Sequence, residues 1–225
     1  MPHLNKVDAV LFDLDGTLVD TAADFVSVLN GQRKKHSLAP LPAQTIRDTV
    51  SDGARALTAL AFGGKQGQND FEEKRLELLS LYAHQVGDQS NLFAGMNDVL
   101  CHFENNNIPW GIVTNKPKRF TDILLRKLSL DSRSSITLCP DDVTKAKPDP
   151  ESLFLACERI KCLPENTVYV GDHERDIIAG KAANMTTVAA TYGYILDKNK
   201  VSDWHADFSI NNPSELILLI NQLNS

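Results

Sequence analysis

Two aspartates lie two residues apart at the end of an apolar run, and they are the strongest indication of chemistry in this chain. Asp13 and Asp15 directly follow residues 7–12, and Gly16 comes next. Two carboxylates this close together repel each other unless a positive charge neutralises them. A hard cation such as Mg²⁺ prefers oxygen ligands and would supply that charge. The alternative interpretation is a strand that ends in an acidic turn, because Asp and Gly are common turn residues.

Five further polar residues follow other apolar runs and could meet these aspartates. The carboxyl ends of parallel strands line the crevice where ligands bind in an open sheet. Taken singly, each residue also has a structural explanation: a helix cap, a solvated lysine, or an acidic residue at a helix start. Their joint occurrence, each after a strand, favours one shared site. They are Thr114, Asn115, Lys147, Asp172 and Asp176.

The elements that would position these residues alternate between strand and helix. Short apolar runs bounded by turn residues predict strands at 7–12, 109–114, 135–139, 167–171 and 186–190, with a weaker one at 206–210. Helical patterns between them include 121–128, 150–159, 175–183 and 214–223. This alternation predicts βαβ units and a parallel sheet with helices on both faces.

One long segment interrupts the alternation. It contains no good strand candidate and predicts helices at 21–35, 43–50, 53–62 and 70–85, separated by Pro40, Pro42 and a turn at 63–67. A helical insert directly after the first strand is best explained as a small second domain. We therefore predict a core of residues 1–17 and 91–225, with a helical cap of residues 18–90.

Composition excludes several classes of protein. The chain has 225 residues, of which 42% are hydrophobic and 23% charged, and its net charge of −6 argues against nucleic-acid binding. Residues 1–6 lack the apolar core of a signal peptide, and no apolar run approaches the ~20 residues of a membrane span. We expect a cytoplasmic protein without a nucleic-acid or membrane partner. The four cysteines show no CxxC spacing and are interpreted as buried structural thiols.

The segment DLDGTLVDT, with the motifs that follow it, closely resembles the haloacid dehalogenase-like superfamily of phosphotransferases. The resemblance covers essentially the whole chain. It implies an α/β fold with a Rossmann-like core and a small helical-bundle cap inserted after the first strand. It also implies a Mg²⁺-dependent enzyme that acts on a small phosphate monoester. The resemblance says nothing about the oligomeric state.

The same resemblance implies a role for each motif residue. Asp13 would be the nucleophile that forms an aspartyl-phosphate, and Asp15 the general acid and base. The metal ligands would be the carboxylates of Asp13 and Asp172 and the backbone carbonyl of Asp15, with Asp176 supporting the site. The residues expected to bind the phosphoryl oxygens are Thr114, Asn115 and Lys147.

Asp15 further distinguishes members of the superfamily. The hydrolytic dehalogenases lack an aspartate at this position, because a departing halide needs no acid. An alkoxide leaving a phosphate monoester does, so Asp15 favours phosphoryl transfer. The Thr17 hydroxyl resembles that of the phosphatases, where it can help to place the acid.

Substrate choice is expected to come from the cap. In the loop at 51–55, Gly53 permits close backbone approach and Arg55 can bind a carboxylate bidentately, unless this is simply a helix start with a surface arginine. The wider sequence resembles the phosphoglycolate phosphatase-like group. Several stretches are most similar to the N-acetylmuramic acid 6-phosphate phosphatases of cell-wall recycling, including residues 53–56, 110–117, 139–142 and 192–195.

Two other functions are compatible with these residues. A phosphomutase of the β-phosphoglucomutase kind shares the core and cap but returns the phosphoryl group to the sugar. A catalytically silent binding protein could use the same fold, since fold does not prove function. His173 has no assigned role, and a surface or supporting position is favoured over metal binding.

Overall fold

The computed structural model describes residues 6–64, 67 and 70–225. No helix in these ranges has both the length and the apolar composition needed to cross a membrane. The strands are β1 Ala9–Phe12, β2 Val19–Asp20, β3 Asn91–Leu92, β4 Trp110–Val113, β5 Ile136–Leu138, β6 Thr167–Gly171, β7 Thr186–Ala190 and β8 Phe208–Ile210. The α-helices are α1 Ala22–Lys35, α2 Ala43–Arg47, α3 Gly53–Phe62, α4 Phe71–Ala83, α5 Met96–Asn105, α6 Lys118–Lys127, α7 Glu151–Ile160, α8 Glu174–Ala182 and α9 Glu215–Leu223.

Six strands form one parallel sheet in the order β5-β4-β1-β6-β7-β8. They correspond to the six predicted strands, so the predicted α/β fold with a parallel sheet is confirmed. β1 lies at the centre, between β4 and β6, and every residue of these three strands is buried. Their continuous apolar runs reflect burial on both faces, which parallel sheets require.

Alternating residues of each strand pack on opposite sides of the sheet. Val10 and Phe12 belong to a core cluster that includes residues from α5, α6 and α9. Leu11 and Tyr169 belong to a second cluster with residues from α7 and α8. Helices therefore cover both faces, as predicted, and the strand ends are left to carry polar loops.

Helices α1 to α4, here called the helical insert, pack on one another after the first strand. α1 contacts α2, α3 and α4, and α3 also contacts α4. Two short strands not predicted from the sequence, β2 and β3, pair antiparallel at the start and end of the insert. Helix α5 is also additional to the predicted elements. The division into core and cap at residues 18–90 stays a prediction.

The insert differs from the predicted pattern at one helix. The predicted helix at 43–50 ends at Arg47, and a 3₁₀ turn at Val50–Asp52 follows it. This turn lets Ser51 face the core, where its hydroxyl donates to Asp172 at 2.8 Å. Part of the predicted turn at 63–67 lies outside the described residues.

The four cysteines carry no disulfide. Cys139 and Cys157 are buried, as predicted, whereas Cys101 and Cys162 are only partly buried. Both Cys157 and Cys162 contact the Thr167 hydroxyl, with Sγ to Oγ1 distances of 3.7 and 3.3 Å. The prediction of buried thiols is thus correct for two of the four.

Asp24, near the start of α1, binds the segment that follows helix α4. Its fully buried carboxylate accepts hydrogen bonds from the amides of Gly87 and Gln89, both at 2.8 Å, and from the Ser90 hydroxyl at 2.5 Å. Three donors on one carboxylate make it the anchor of the chain between α4 and β3.

Replacing Asp24 with Ala is expected to lower the free energy of unfolding by about 2 kcal/mol, because three donors, among them the buried Ser90 hydroxyl, lose this acceptor. Urea unfolding followed by circular dichroism measures this change. Asp122→Ala, at an exposed position of α6, is the matched control and is expected to leave the midpoint nearly unchanged. Equal midpoints for the two variants would contradict the assignment.

Candidate active site

Three carboxylates converge at the edge where β1 and β6 end. Asp13 follows β1, Asp172 follows β6, and Asp176 lies in the first turn of α8. Phe12 pairs with Val170, and the Asp13 amide donates to the Val170 carbonyl at 2.9 Å, so the strand register sets the two loops side by side. One oxygen from each carboxylate lies within 4.8 Å of the others. The structure thus brings together three of the residues predicted to form a metal site.

These carboxylates lie close together in a largely buried environment. Burial, together with the charges of Asp13 and Asp176, raises the pKa of Asp172 to about 7. Burial also raises the pKa of Asp176, although the Lys147 ammonium opposes that effect. Asp13 Oδ1 is buried and accepts no hydrogen bond from the described residues; Lys147 Nζ lies 3.0 Å away but donates to three other acceptors. A buried, incompletely satisfied set of carboxylate oxygens fits a hard divalent cation such as Mg²⁺.

Gly16 is required by the close approach of Asp172. Its φ of +83° is a left-handed value, and a Cβ atom there would collide with Asp172 Oδ2. The next residue, Thr17, donates its hydroxyl to Asp172 Oδ1 at 3.2 Å. The expectation that the Thr17 hydroxyl helps to place Asp15 is therefore wrong in this structure.

The Asp15 carboxylate lies apart from the three-carboxylate cluster. Asp15 Oδ1 accepts from the Thr21 hydroxyl at 2.6 Å and from Lys116 Nζ at 2.9 Å, and Oδ2 lies 3.2 Å from the same ammonium. The hydroxyl that holds Asp15 thus comes from Thr21. A metal contact through the backbone carbonyl of Asp15 stays a prediction.

Lys147 is the cation that faces the carboxylate cluster. Its buried Nζ donates to Asp176 Oδ1 at 2.7 Å, the Tyr169 hydroxyl at 2.6 Å and the Val113 carbonyl at 2.8 Å. Burial alone would lower the pKa of Lys147, but Asp13 and Asp176 outweigh it and raise the pKa. Lys147 is therefore a fixed positive charge beside Asp13.

Thr114 and Asn115 follow β4 and do not cap the next helix. Asn115 Nδ2 donates to the Lys147 carbonyl at 2.9 Å, and Thr114 Oγ1 accepts from the Lys116 amide at 3.1 Å. Pro117, at the N-cap of α6, follows them. Both residues line the cavity described next, so the helix-cap interpretation is excluded for this pair.

A cavity of about 360 Å³ lies between the strand ends and the helical insert. The core supplies Asp13 and Asp15, and the insert supplies Gly53 and Arg55 on the opposite wall. Within the described part of the chain, Arg55 has no hydrogen-bond or ion-pair partner, and its side chain is exposed. The cavity is also lined by Phe25, Val50, Leu79, Tyr82 and Phe120, which give it an apolar wall, and by Arg75, which is bound to Glu72.

The loop at the start of α3 contacts the carboxylate cluster directly. Ser51 donates to Asp172, and Arg175 donates to the Ser51 carbonyl. His173, whose role the sequence leaves open, accepts from the Arg175 amide through Nδ1, and its Nε2 lies 3.2 Å from Asp52 Oδ1. The hydrogen bond with His173 lowers the pKa of Asp52, despite the opposing effect of burial. His173 therefore caps α8 and links it to the insert.

Three residues without a predicted role, Lys116, Tyr82 and Tyr194, make contacts near the site. Lys116 Nζ donates to Asp15 and contacts the Tyr82 hydroxyl at 2.7 Å, and both side chains are buried. Tyr194 Oη accepts from the amides of Thr21 and Ala22 at 2.6 and 2.9 Å, where α1 begins. Each of these residues joins the insert to the rest of the chain, and Lys116 and Tyr82 also line the cavity. The only sequence signal for Lys116 and Tyr194 is that both lie in stretches that resemble known phosphatases.

The family of the chain follows from its match to known proteins. A family model described as haloacid dehalogenase-like hydrolase matches residues 10–190. The chain belongs to this family. It is also 41% identical over 212 residues to an N-acetylmuramic acid 6-phosphate phosphatase of Pseudomonas aeruginosa, covering 94% of each chain. The resemblance stated from the sequence is thereby confirmed.

Other members of the haloacid dehalogenase-like hydrolase family extend this comparison. A phosphoglycolate phosphatase of Xanthomonas campestris is 38% identical, over 92% of this chain and 94% of its own. A crystal structure of a haloacid dehalogenase-like hydrolase from Bacteroides fragilis superposes with a TM-score of 0.81 at 26% identity, covering 94% of this chain and all of that one. The prediction of a phosphoric monoester hydrolase agrees with the Pseudomonas aeruginosa and Xanthomonas campestris relatives, both of which are named as phosphatases.

Proposed function

We propose that this protein is a Mg²⁺-dependent phosphatase that hydrolyses a small phosphate monoester through an aspartyl-phosphate on Asp13. The observation that carries this proposal is the placement of Asp13. Its carboxylate lies at the cavity, beside Asp172, Asp176 and the Lys147 ammonium. A carboxylate can attack an anionic phosphate only where positive charge reduces their repulsion. Relatives named as phosphatases support the same reaction class.

Two displacements at phosphorus account for the reaction. A carboxylate oxygen of Asp13 forms a bond to phosphorus while the bond to the leaving oxygen breaks, and Asp15 gives that oxygen a proton. A water molecule then forms a new bond to phosphorus, the bond to Asp13 breaks, and Asp15 accepts the proton of the water. Asp13 returns as a carboxylate, and inorganic phosphate leaves.

The other side chains hold the transferring group. Thr114 supplies a hydroxyl and Asn115 an amide at the end of β4, where both line the cavity. Lys147 supplies a fixed charge, since its three donor bonds restrain it beside Asp13. Mg²⁺, held by Asp13, Asp172 and the backbone of Asp15, with Asp176 in support, would neutralise charge on the phosphoryl oxygens.

The substrate that we favour carries a carboxylate as well as a phosphate. N-acetylmuramic acid 6-phosphate and 2-phosphoglycolate both meet this condition, and both occur in the names of relatives. The cavity of about 360 Å³ exceeds the size of a two-carbon acid and has an apolar wall that suits a sugar face. We therefore place the muramic acid ester first.

A cytoplasmic location also stays a prediction.

A panel of phosphomonoesters, each with and without Mg²⁺, tests the proposal. It includes N-acetylmuramic acid 6-phosphate, 2-phosphoglycolate and hexose phosphates, with free phosphate and any isomerised sugar measured together. Metal-dependent phosphate release supports the phosphatase. An isomerised sugar without phosphate release would indicate a phosphomutase, and no turnover by folded protein would indicate a silent binder.

Replacing Arg55 with Met is expected to raise KM for N-acetylmuramic acid 6-phosphate about tenfold, since a carboxylate–guanidinium contact contributes roughly 1.5 kcal/mol. KM for N-acetylglucosamine 6-phosphate, which lacks the lactyl carboxylate, should change little. Steady-state kinetics on the two esters measure the difference. Arg159→Met, at an exposed position of α7, is the control, and a loss on both esters alike would contradict the assignment.

A further inference from the structure

The Lys116 ammonium is buried against Asp15, and the proposed reaction gives Lys116 no role. Nζ lies 2.9 and 3.2 Å from the two carboxylate oxygens of Asp15 and 2.7 Å from the Tyr82 hydroxyl. Only 5% of the Lys116 side chain is exposed. A buried ammonium is stable only when its charge and its protons have partners, so these contacts fix where it lies.

The helical insert forms most of the enclosure around this ammonium. Phe25 of α1 and Tyr82 of α4 stack with ring centroids 4.2 Å apart, and Lys116 Nζ lies 5.2 and 4.7 Å from their ring centres. Phe120 makes an edge contact with Tyr82, with ring centroids 5.3 Å apart. The position of the Lys116 ammonium therefore depends on how the helical insert packs against it.

An ammonium has donors only, whereas a protonated carboxyl group also needs an acceptor for its O–H. Lys116 therefore donates to both oxygens of the Asp15 carboxylate, but it provides no acceptor for the O–H of the acid form. Thr21 adds a second donor on Asp15 Oδ1. Among the described residues, Oδ2 accepts only the Lys116 contact at 3.2 Å, so it retains a lone pair for a further proton donor. Such a donor would be the water that attacks the aspartyl-phosphate.

We propose that Lys116 is a positioning residue, held by Tyr82 of the helical insert, that orients the Asp15 carboxylate toward the water of the second displacement. This inference rests on the proposed function. It places the effect of Lys116 on hydrolysis of the aspartyl-phosphate and leaves formation of that intermediate largely unaffected. The insert then contributes to catalysis as well as to substrate binding.

Burst kinetics with p-nitrophenyl phosphate test the proposal, because p-nitrophenolate departs without an acid and reports the first displacement alone. Lys116→Met is expected to show a burst of about one p-nitrophenolate per enzyme, then steady turnover about 10- to 100-fold below wild type. KM should fall with kcat, so that kcat/KM changes little. Acid quenching should trap a phosphoryl group on the protein, visible by intact mass.

Three variants complete the experiment. Lys116→Arg, which keeps the charge and donors, should recover much of the lost kcat. Tyr82→Phe, which keeps the ring and removes only the hydroxyl, should show a smaller effect in the same direction. This variant tests the proposal if Lys116→Met does not fold. Lys181→Met, at an exposed position of α8, should behave as wild type.

The inference would be overturned if kcat/KM fell in Lys116→Met or in Tyr82→Phe without a burst or a trapped phosphoryl group. That result would mean that the residue affects only substrate binding or folding. Unchanged kinetics would also overturn it. If the wild-type protein turns over in the same assay, the proposed function stands and only the role of Lys116 is rejected. A folded wild-type protein that releases neither p-nitrophenolate nor phosphate from any ester of the panel, with Mg²⁺ present, removes the phosphatase assignment itself.

Discussion

Asp13→Asn is expected to lower phosphate release by about 10⁴-fold, the largest effect of any single substitution in this chain. The amide keeps the size of the side chain but is not a nucleophile toward phosphorus. Because Asp13 is also one of the three clustered carboxylates, its charge is lost from the metal site. Phosphate release from the favoured ester, measured at saturating Mg²⁺, gives the comparison with wild type.

The control for this variant is Asp131→Asn, an exposed aspartate outside the cavity. It should keep wild-type turnover, and both variants should unfold cooperatively. Intact mass after acid quenching adds a second readout, since Asp13→Asn should carry no phosphoryl group under any condition. Turnover within tenfold of wild type would remove Asp13 as the nucleophile and leave the cavity as a binding site.

Asp172→Asn is expected to abolish most of the stabilisation that Mg²⁺ gives the wild-type protein. At a concentration 100 times its Kd, a ligand of the folded state adds about 2.7 kcal/mol, which raises Tm by roughly 5 °C or more at this size. The variant should also lose at least about 10²-fold in kcat, because the metal contributes several kcal/mol to the displacement. Thermal unfolding with increasing Mg²⁺ measures the first effect.

Without metal, the same variant should be less sensitive to pH than wild type. The folded protein holds the Asp172 proton up to about pH 7, whereas the unfolded chain releases it near 3.8. At this carboxyl group the folded state therefore binds more protons in this window, and the contribution of Asp172 to wild-type stability falls as pH rises from about 4 through 7. Melting in a chelator at several pH values tests this, and parallel pH profiles for wild type and Asp172→Asn would contradict it.

The strand ends were predictable because their signal is local. β1, β4 and β6 are uninterrupted apolar runs, and the polar residue after each run marks where the sheet meets its crevice. Parallel register then sets Asp13 beside Asp172 without further information. The alternation of strand and helix was equally visible, since each pattern extends over enough residues to show its period.

Contacts between the insert and the core were not predictable in the same way. Lys116 lies 101 residues from Asp15 and 34 from Tyr82, so no spacing in the sequence relates them. Strands β2 and β3 have two residues each, too few to show an alternation. Thr17 and Thr21 are two hydroxyls in one motif, and only packing decides that Thr21 contacts Asp15 while Thr17 contacts Asp172.

The pairing of β2 with β3 has an evolutionary consequence. Val19 lies opposite Leu92 and Asp20 opposite Asn91, so the segments before and after the helical insert lie side by side. A segment whose two ends meet can be lengthened, shortened or replaced without moving the strands that flank it. A change of length within the helices of the insert therefore leaves the carboxylates at the strand ends and Lys147 in place.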